Sequence, residues 1–244
     1  MFENVNWALV IPMANEEMDF DPFISELLKS LDKIKSGTVY FVVDMASKDK
    51  TLECCQELSE RDARFITIWA PGNKNVVGAY IRGYREALKN NHDYIIEMDA
   101  GLSHDPALLP VFLSELLKNY ECVFGSRFIK GGSMGNSPWK RRILSSAGTK
   151  LSNILLGSKL HDMTSGYQGF NKATVEKFTA YPLKSTAHFY QTELRYLLRN
   201  RRQVEIPITY NAPSPRVSDS SIKNSLSVLY YYFIKRLKGQ PVAL

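Results

Sequence analysis

A chain of 244 residues suits one large α/β domain, or one domain with a modest appendage. Its 44% hydrophobic and 23% charged residues exclude wholesale disorder, and three cysteines, two of them the neighbours Cys54 and Cys55, exclude a disulfide scaffold and a zinc site. Lysine and arginine outnumber the acids by 31 to 25, giving +6 and a pI near 9.1, which suits nucleic acid, an anionic membrane surface or a phosphorylated substrate without choosing among them. No apolar run reaches the ~18 residues of a membrane-spanning helix. The opening Met1-Phe-Glu-Asn-Val-Asn-Trp7 has neither the basic start nor the long apolar stretch of a signal peptide, and a reducing, cytoplasmic setting is expected.

The run Trp7-Ala-Leu-Val-Ile11, ended by Pro12, reads as a buried parallel strand. Residues 21–34 place Phe23, Leu27, Leu28, Leu31 and Ile34 at helical spacing. A strand at 38–43, a helix at 51–58, a strand at 64–69, a helix at 79–88 and a strand at 94–99 follow. Such alternation predicts an α/β fold, a doubly wound and mostly parallel sheet with helices on both faces.

The second half is less regular. A helix at about 107–119 precedes a strand at 121–124 and the loop Gly131-Gly-Ser-Met-Gly-Asn-Ser137. Pro138 starts a helix to about Leu156, and Gly157 stops it. Then come a helix near 189–200, a strand at 204–210 and a Pro/Ser loop through Ser221. The last helix, 222–244, carries Ile222, Leu226, Leu229, Tyr230, Phe233 and Leu237 on one stripe and Lys223, Lys235 and Lys238 on its other face. That pattern serves either packing on the domain or binding to an anionic membrane. Tyr230-Tyr-Tyr-Phe233 reads as packing rather than as a stacking platform for bases, and no nucleic-acid partner is expected.

Ligands of open α/β sheets sit beyond the carboxyl ends of the strands. Polar residues gather at three such ends: Asn15-Glu16-Glu17, then Asp44 with Ser47, Asp49 and Thr51, then Asp99 with Ser103, His104 and Asp105. Helix capping accounts for Asp49, Thr51 and Asp105. Asp44 and Asp99 are the better ligand candidates, since carboxylates brought together need a metal, a ribose or a nucleobase between them. The glycine-flanked segment Gly72 to Gly78, ahead of a helix, is a weak candidate for backbone N–H contacts to a donor.

Pro12-x-x-Asn15-Glu16, Val42-Val-Asp44-x-x-Ser47-x-Asp49-x-Thr51 and Met98-Asp99-x-x-x-Ser103-His104-x-Pro106 resemble the signature blocks of family 2 inverting glycosyltransferases. Gly125-Ser-Arg127-Phe, Asp162-x-Thr164-Ser-Gly166, Gln191-x-Glu193 and Glu205-Ile-Pro207-Ile resemble the dolichyl-phosphate mannosyltransferase branch. The blocks stand in family order over nearly the whole chain. The resemblance implies a GT-A-like, Rossmann-related domain at 1–221, with a nucleotide-sugar half at 1–104, an acceptor half at 105–221 and the helix 222–244 appended. It also implies a GDP- or UDP-linked mannose or glucose donor, a divalent Mg²⁺ or Mn²⁺, and a polyprenyl or dolichyl phosphate acceptor.

Carried over residue by residue, Pro12, Asn15, Glu16, Asp44 and Asp99 would bind the donor, and Gly78 of the glycine-flanked segment is added from its own loop reading. Arg127, Arg216 and Lys223 would bind the acceptor phosphate. Three departures stand out: Gly101 replaces the second acid of the family's Asp-x-Asp, Met45 replaces an acid after Asp44, and Ala14 replaces a tyrosine. With Gly101 in place, the metal would fall to Asp99, helped by Glu97 or Ser103. Glu97 shares a strand face with Asp99, about 6–7 Å further down, and is otherwise a buried acid with a partner. Lys140, Arg141 and Arg142 oppose the macrodipole of their helix, suggesting an external anion or simply a solvated basic face.

A phosphate acceptor is already anionic near neutral pH, its second pKa being about 6, and needs no base. A hydroxyl acceptor would need one, with Asp162 first in line and Glu193 also available. A nucleotidyltransferase is disfavoured, because Pro12 to Glu17 is the opposite of a basic, glycine-rich loop. A non-catalytic sugar-nucleotide-binding protein stays open because of Gly101. A polyprenyl acceptor would require contact with a membrane, directly or through an anchoring partner, on its cytoplasmic face.

Overall fold

The computed structural model describes residues 2–211 and 219–244. Seven strands form one sheet: β1 (Trp7–Met13), β2 (Thr38–Val43), β3 (Phe65–Trp69), β4 (Tyr94–Glu97), β5 (Cys122–Ser126), β6 (Gln168–Asn171) and β7 (Gln203–Pro207). Their order is β3-β2-β1-β4-β6-β5-β7; β6 runs antiparallel to both its neighbours, and every other pairing is parallel. The helices are α1 (Phe20–Ile34), α2 (Thr51–Arg61), α3 (Val76–Lys89), α4 (Leu109–Leu117), α5 (Trp139–Leu156), α6 (Lys172–Ala180), α7 (Tyr190–Leu197) and α8 (Asp219–Leu237).

The central strands are buried on both faces. Leu9, Ile11, Phe41 and Val43 meet the side covered by α1, α2 and α4, while Ala8, Val10, Tyr40 and Val42 meet α3, α6 and α7. A parallel strand covered on both sides has no polar alternation, which is why these runs are continuously apolar. β1 continues through Pro12 to Met13, two residues past the expected end. Its Val10 carbonyl accepts from Met98 on the β4 side. Two residues on, the missing Pro12 N–H faces the same side, where β4 has already ended at Glu97, so no ladder bond is lost.

Strand β6 and helix α6 are additions to the expected order. The four residues Gln168-Gly-Phe-Asn171 carry no strand pattern of their own. Gly169 sits at a close approach, since a Cβ there would lie 3.2 Å from the Phe112 ring on α4.

The last helix divides its apolar residues differently from expectation. Val228, Leu229 and Tyr232 are buried with Leu156 of α5 and Tyr196 and Leu197 of α7. Ile222, Leu226, Tyr230 and Leu237 of the expected stripe remain exposed, and Phe233 is half-buried. Arg236 donates to the Ile154 and Leu155 carbonyls at 3.0 and 2.9 Å, capping the end of α5 with a cation where the macrodipole favours one. Among the described residues no helix is long and apolar enough to cross a membrane.

Gly83 sets how closely α3 lies on the sheet, because a Cβ there would come within 2.3 Å of Val10 Cγ1. Gly83→Ala should therefore destabilise the protein by about 1–3 kcal/mol in urea unfolding. Val10→Ala in the same chain should recover part of that loss, giving a non-additive double-mutant cycle.

Candidate active site

The chain steps outward from β1 through β2 to β3 and returns to β4 on the other side of β1, so the place beyond the carboxyl ends of β1 and β4 is the topological switch point. The loops after β1 and β2 are stitched together there. Asn15, at φ 59°, donates through Nδ2 to the Ala46 carbonyl at 3.1 Å and accepts from the Lys48 N–H at 2.9 Å. Thr51 Oγ1 accepts from the Glu16 N–H at 2.8 Å, and Asp49 accepts from the Glu17 N–H at 3.0 Å. Asp49 also takes the Thr51 hydroxyl at 2.6 Å, so Asp49 and Thr51 are loop fasteners rather than ligands. Asp44 is buried at the tip of β2, with one carboxylate oxygen accepting from the Ala46 N–H at 2.9 Å.

The wall behind the crevice is a pair of tyrosines. Tyr80 donates to Asp99 Oδ1 at 2.6 Å, and Tyr84, one helical turn along α3, donates to Glu97 Oε2 at 2.6 Å. Four helical residues rise about 6 Å and two strand residues about 6.6 Å, so the two repeats match over this span. Tyr190 and Gln168 complete the shell of Glu97 at 2.6 Å each. Glu97 has no exposure, and burial pushes its pKa up to about 7 against those hydrogen bonds. Glu97 is thus a structural acid wrapped by neutral donors, not a metal ligand. The expected placement on the face of Asp99 holds, but Tyr84, Tyr190 and Gln168 occupy its oxygens.

Asp99 itself keeps about a third of its side chain exposed (32%). His104 Nδ1 accepts from the Asp99 N–H at 3.4 Å, and burial lowers the His104 pKa. The same nitrogen approaches Asp99 Oδ2 to 3.9 Å. Gly101 adopts φ 71°, and a Cβ there would lie 3.4 Å from Glu16 Oε2. Burial, then Asp19, Asp99 and Asp49 in turn, raise the Glu16 pKa to about 7. Gly166 makes room for Asp99 on another side: its Cβ would lie 3.0 and 3.2 Å from the two carboxylate oxygens.

The segment that carries Gly166 is held from below. Arg127 Nε and Nη2 donate to Asp162 at 2.7 and 2.8 Å, and Nη2 also reaches Thr164 Oγ1 at 2.6 Å. Burial alone would raise the Asp162 pKa, but the hydrogen bonds and charge of Arg127, with Arg195 behind it, bring it down to about 2. Arg195 is fully buried, donating to the Asp162 carbonyl, to Ser165 O at 3.0 Å and to Gln168 Oε1 at 3.0 Å.

The chain matches the profile of Glycosyl transferase family 2 over residues 8–179. It is 33% identical over 206 residues to the undecaprenyl-phosphate mannosyltransferase of Micrococcus luteus, covering 82% of each chain. The chain belongs to glycosyl transferase family 2. It is also 28% identical over 225 residues to the polyprenol monophosphomannose synthase of Mycolicibacterium smegmatis, covering 91% of this chain and 83% of that one. The fold is GT-A: glucosyl-3-phosphoglycerate synthase from Mycobacterium tuberculosis, solved with Mn²⁺, uridine diphosphate and phosphoglyceric acid, superposes with a TM-score of 0.66 at 16% identity. That match covers 98% of this chain and 80% of that structure.

In this family 2 glycosyltransferase, Pro12, Asp44 and Asp99 stand at or just past the carboxyl ends of β1, β2 and β4, and the loop with Asn15 and Glu16 lies against the loop after β2 and close to Gly101. Other candidates fall elsewhere. The Gly78 N–H is taken by the Asn75 side chain at 3.0 Å as a helix cap, so it is not offered to a donor. Arg127 and Asp162 are 4% and 0% exposed and neutralise each other, which removes Asp162 as a base and Arg127 as an acceptor clamp. Glu193 is likewise internal, accepting from the N–H groups of Lys184 and Ser185 at 2.7 and 2.8 Å and from Tyr232 at 2.6 Å. Ser103 lies in the turn after Gly101, its carbonyl accepting from the Asn211 N–H at 3.1 Å. Lys223 is exposed in the second turn of α8, and Arg216 lies outside the described residues. Tyr80 and Tyr84 escaped the sequence reading, because aromatics on a helix face look like ordinary core.

Asp99→Asn keeps the Tyr80 hydrogen bond and the side-chain shape while removing the charge. Sugar transfer should fall by more than about tenfold, a barrier change above ~1.4 kcal/mol, with an unchanged melting temperature. Asp162→Asn should instead act on stability, costing about 3–5 kcal/mol in urea unfolding because Arg127 is left buried without its counter-charge. The folded pKa of Asp162 lies below its unfolded value, so the pair contributes fully above pH ~4 and fades as pH falls towards about 2. Acid unfolding of the wild type should show that component, and Asp162→Asn should lack it.

Proposed function

We propose that this protein moves mannose or glucose from a GDP- or UDP-linked donor to the phosphate of a polyprenyl lipid, with inversion at the anomeric carbon. The carrying observation is an acid crevice beside the root of a basic helix with an exposed apolar row. Arg141 of α5 donates to Tyr210 Oη at 3.3 Å and lies 5.4 Å over its ring. The Tyr210 ring meets His104 at 5.5 Å, and His104 lies against Asp99. From that root, Trp139, Ile143 and Ile154 lie within about 60° on α5 at 100° per residue. They are 66%, 58% and 73% exposed. Lys150 lies within the same arc and Lys140 beside it, and α8 adds Ile222, Leu226, Tyr230 and Leu237 beside Lys223 and Lys238.

In this reading Asp44 takes the nucleobase or ribose, and Pro12, Asn15 and Glu16 form the pocket floor. Asp99 faces the donor diphosphate. The residues suit Mg²⁺ or Mn²⁺, which commonly take one or two protein carboxylates and complete their shell from phosphate and water. The Gln191 amide fills the position a side chain at Gly166 would take beside the Asp99 oxygens, and such an ion would supply charge to the departing diphosphate. An anionic phosphate oxygen attacks the anomeric carbon from the opposite side, and the bonding pair leaves with the nucleoside diphosphate. No base is needed, in keeping with the sealed Asp162. The names of the Micrococcus and Mycolicibacterium relatives support the same acceptor class.

Incubation with radiolabelled GDP-mannose or UDP-glucose and vesicles holding undecaprenyl phosphate should move label into an acid-labile lipid. Label found only in free sugar or a water-soluble product would refute the acceptor.

Membrane docking has its own test. Each apolar side chain transferred from water contributes up to about 1.5–3 kcal/mol, and each basic residue about 1 kcal/mol near an anionic leaflet. The protein should cosediment with anionic vesicles, and Trp139→Ser/Ile143→Ser/Ile154→Ser should lower the bound fraction at least about tenfold without lowering the melting temperature. Equal binding by the variant would assign membrane contact to another surface or a partner.

A further inference from the structure

We infer that Tyr80 is a positioning residue for sugar transfer: from α3 its hydroxyl ties down Asp99 Oδ1, so that the carboxylate meets the donor in one fixed orientation. The inference rests on the reading that Asp99 faces the donor.

Asp99 needs such a hold. It lies past the end of β4, outside any strand or helix, and its N–H donates to His104 rather than to a neighbouring strand. An aspartate χ2 has a broad, two-fold well, so a fixed backbone alone does not fix the two oxygens. Among the described residues Tyr80 is the one hydrogen-bond donor to that carboxylate, at 2.6 Å. Gly166 and the Gln191 amide stand on its other side: a Cβ at 166 would lie 3.0 and 3.2 Å from the two oxygens and would collide with Gln191 Nε2. Those groups limit any swing in that direction, and about a third of the Asp99 side chain stays open (32%).

Tyr80 is itself anchored. Helix α3 begins on the Asn75 side-chain cap and is seated on the sheet at Gly83, where a Cβ would collide with Val10. The Tyr80 ring is fully buried and packs on that of Tyr190 at 5.2 Å. Burial, then the charges of Asp99 and Glu97, hold its pKa well above the usual phenol range, so the hydroxyl stays a donor.

Tyr84 provides the contrast. It makes the same kind of bond, also at 2.6 Å, one helical turn along. Its acceptor Glu97 has two further donors and no exposure, so that bond ends in the interior. The Tyr80 bond ends on an acid with spare acceptor capacity and an open side. One helix face therefore serves folding at one turn and the reacting end at the other.

The test compares Tyr80→Phe, Tyr84→Phe, Asp99→Ala and Tyr80→Phe/Asp99→Ala in the intact chain, with GDP-mannose and separately UDP-glucose, and vesicles holding undecaprenyl phosphate. Phenylalanine keeps the ring packing on Tyr190. Rates are taken per mole of protein that binds GDP or UDP in EDTA, so partial unfolding does not imitate a catalytic loss. Tyr80→Phe should lower kcat about tenfold or more while donor KM stays within about threefold, since orientation in the transition state is what is lost. Tyr84→Phe should lower the melting temperature and keep kcat within about twofold. In the double variant Tyr80→Phe should cost nothing beyond Asp99→Ala, which leaves no carboxylate to orient. The role is overturned if Tyr80→Phe keeps the wild-type kcat, if it raises KM alone, if Tyr84→Phe loses as much kcat, or if the losses multiply in the double variant. A wild-type rate in Asp99→Ala would instead refute the donor reading of Asp99, and the role of Tyr80 with it.

Discussion

The architecture hangs on one buried chain of polar contacts. Glu97 at the end of β4 accepts from Gln168 on β6, Gln168 accepts from Arg195 on α7, and Arg195 holds the carbonyls of Asp162 and Ser165. The side chain of Asp162 then pairs with Arg127 beyond β5. An uncompensated charge in such a place would cost several kcal/mol, so each member is tolerated only because the next is present. The arrangement spans the junction where an antiparallel strand enters a parallel sheet. It also delivers the 162–166 segment, and with it Gly166, to within contact of Asp99. The crevice is shaped by groups that never reach it.

That division explains what the sequence could and could not disclose. Asp44, Asp99 and Glu16 stood out as candidates because a polar residue at the tip of an apolar strand gains little for folding, and the structure places them at the ends of β2, β4 and β1. Arg127, Asp162 and Glu97 were equally visible as charges, but nothing local to them says whether a charge meets solvent or a buried partner. Both Arg127 and Asp162 turned out to satisfy each other across 35 residues of chain. Strand β6 was missed because Gln168-Gly169 reads as a turn, and its strand character comes from Glu97 and from α4 pressing on Gly169. Helix α8 was legible as amphipathic, yet it carries two apolar rows, and only the tertiary contacts with α5 and α7 decide which row is inside.

The protein thus separates two electrostatic tasks in one domain. Carboxylates of Glu16, Asp44 and Asp99 stand at the strand tips. Basic residues instead collect on α5 and α8, where exposed apolar side chains accompany them. Arg127 is neutralised in the interior by Asp162, and Arg195 is satisfied there by the carbonyls of Asp162 and Ser165 and by Gln168.

The match between Tyr80 and Tyr84 on α3 and Asp99 and Glu97 at the end of β4 has a consequence for assembly. A slip of α3 by one residue would rotate both hydroxyls by about 100° and withdraw them together. The helix and strand repeats coincide over only this short span, so no alternative register restores the pair. A partly folded chain with a loosely docked α3 would have the right carboxylates in the wrong setting. Ligand binding at the crevice would then report that the whole domain core has closed, making donor affinity a sensitive gauge of folding quality for this chain.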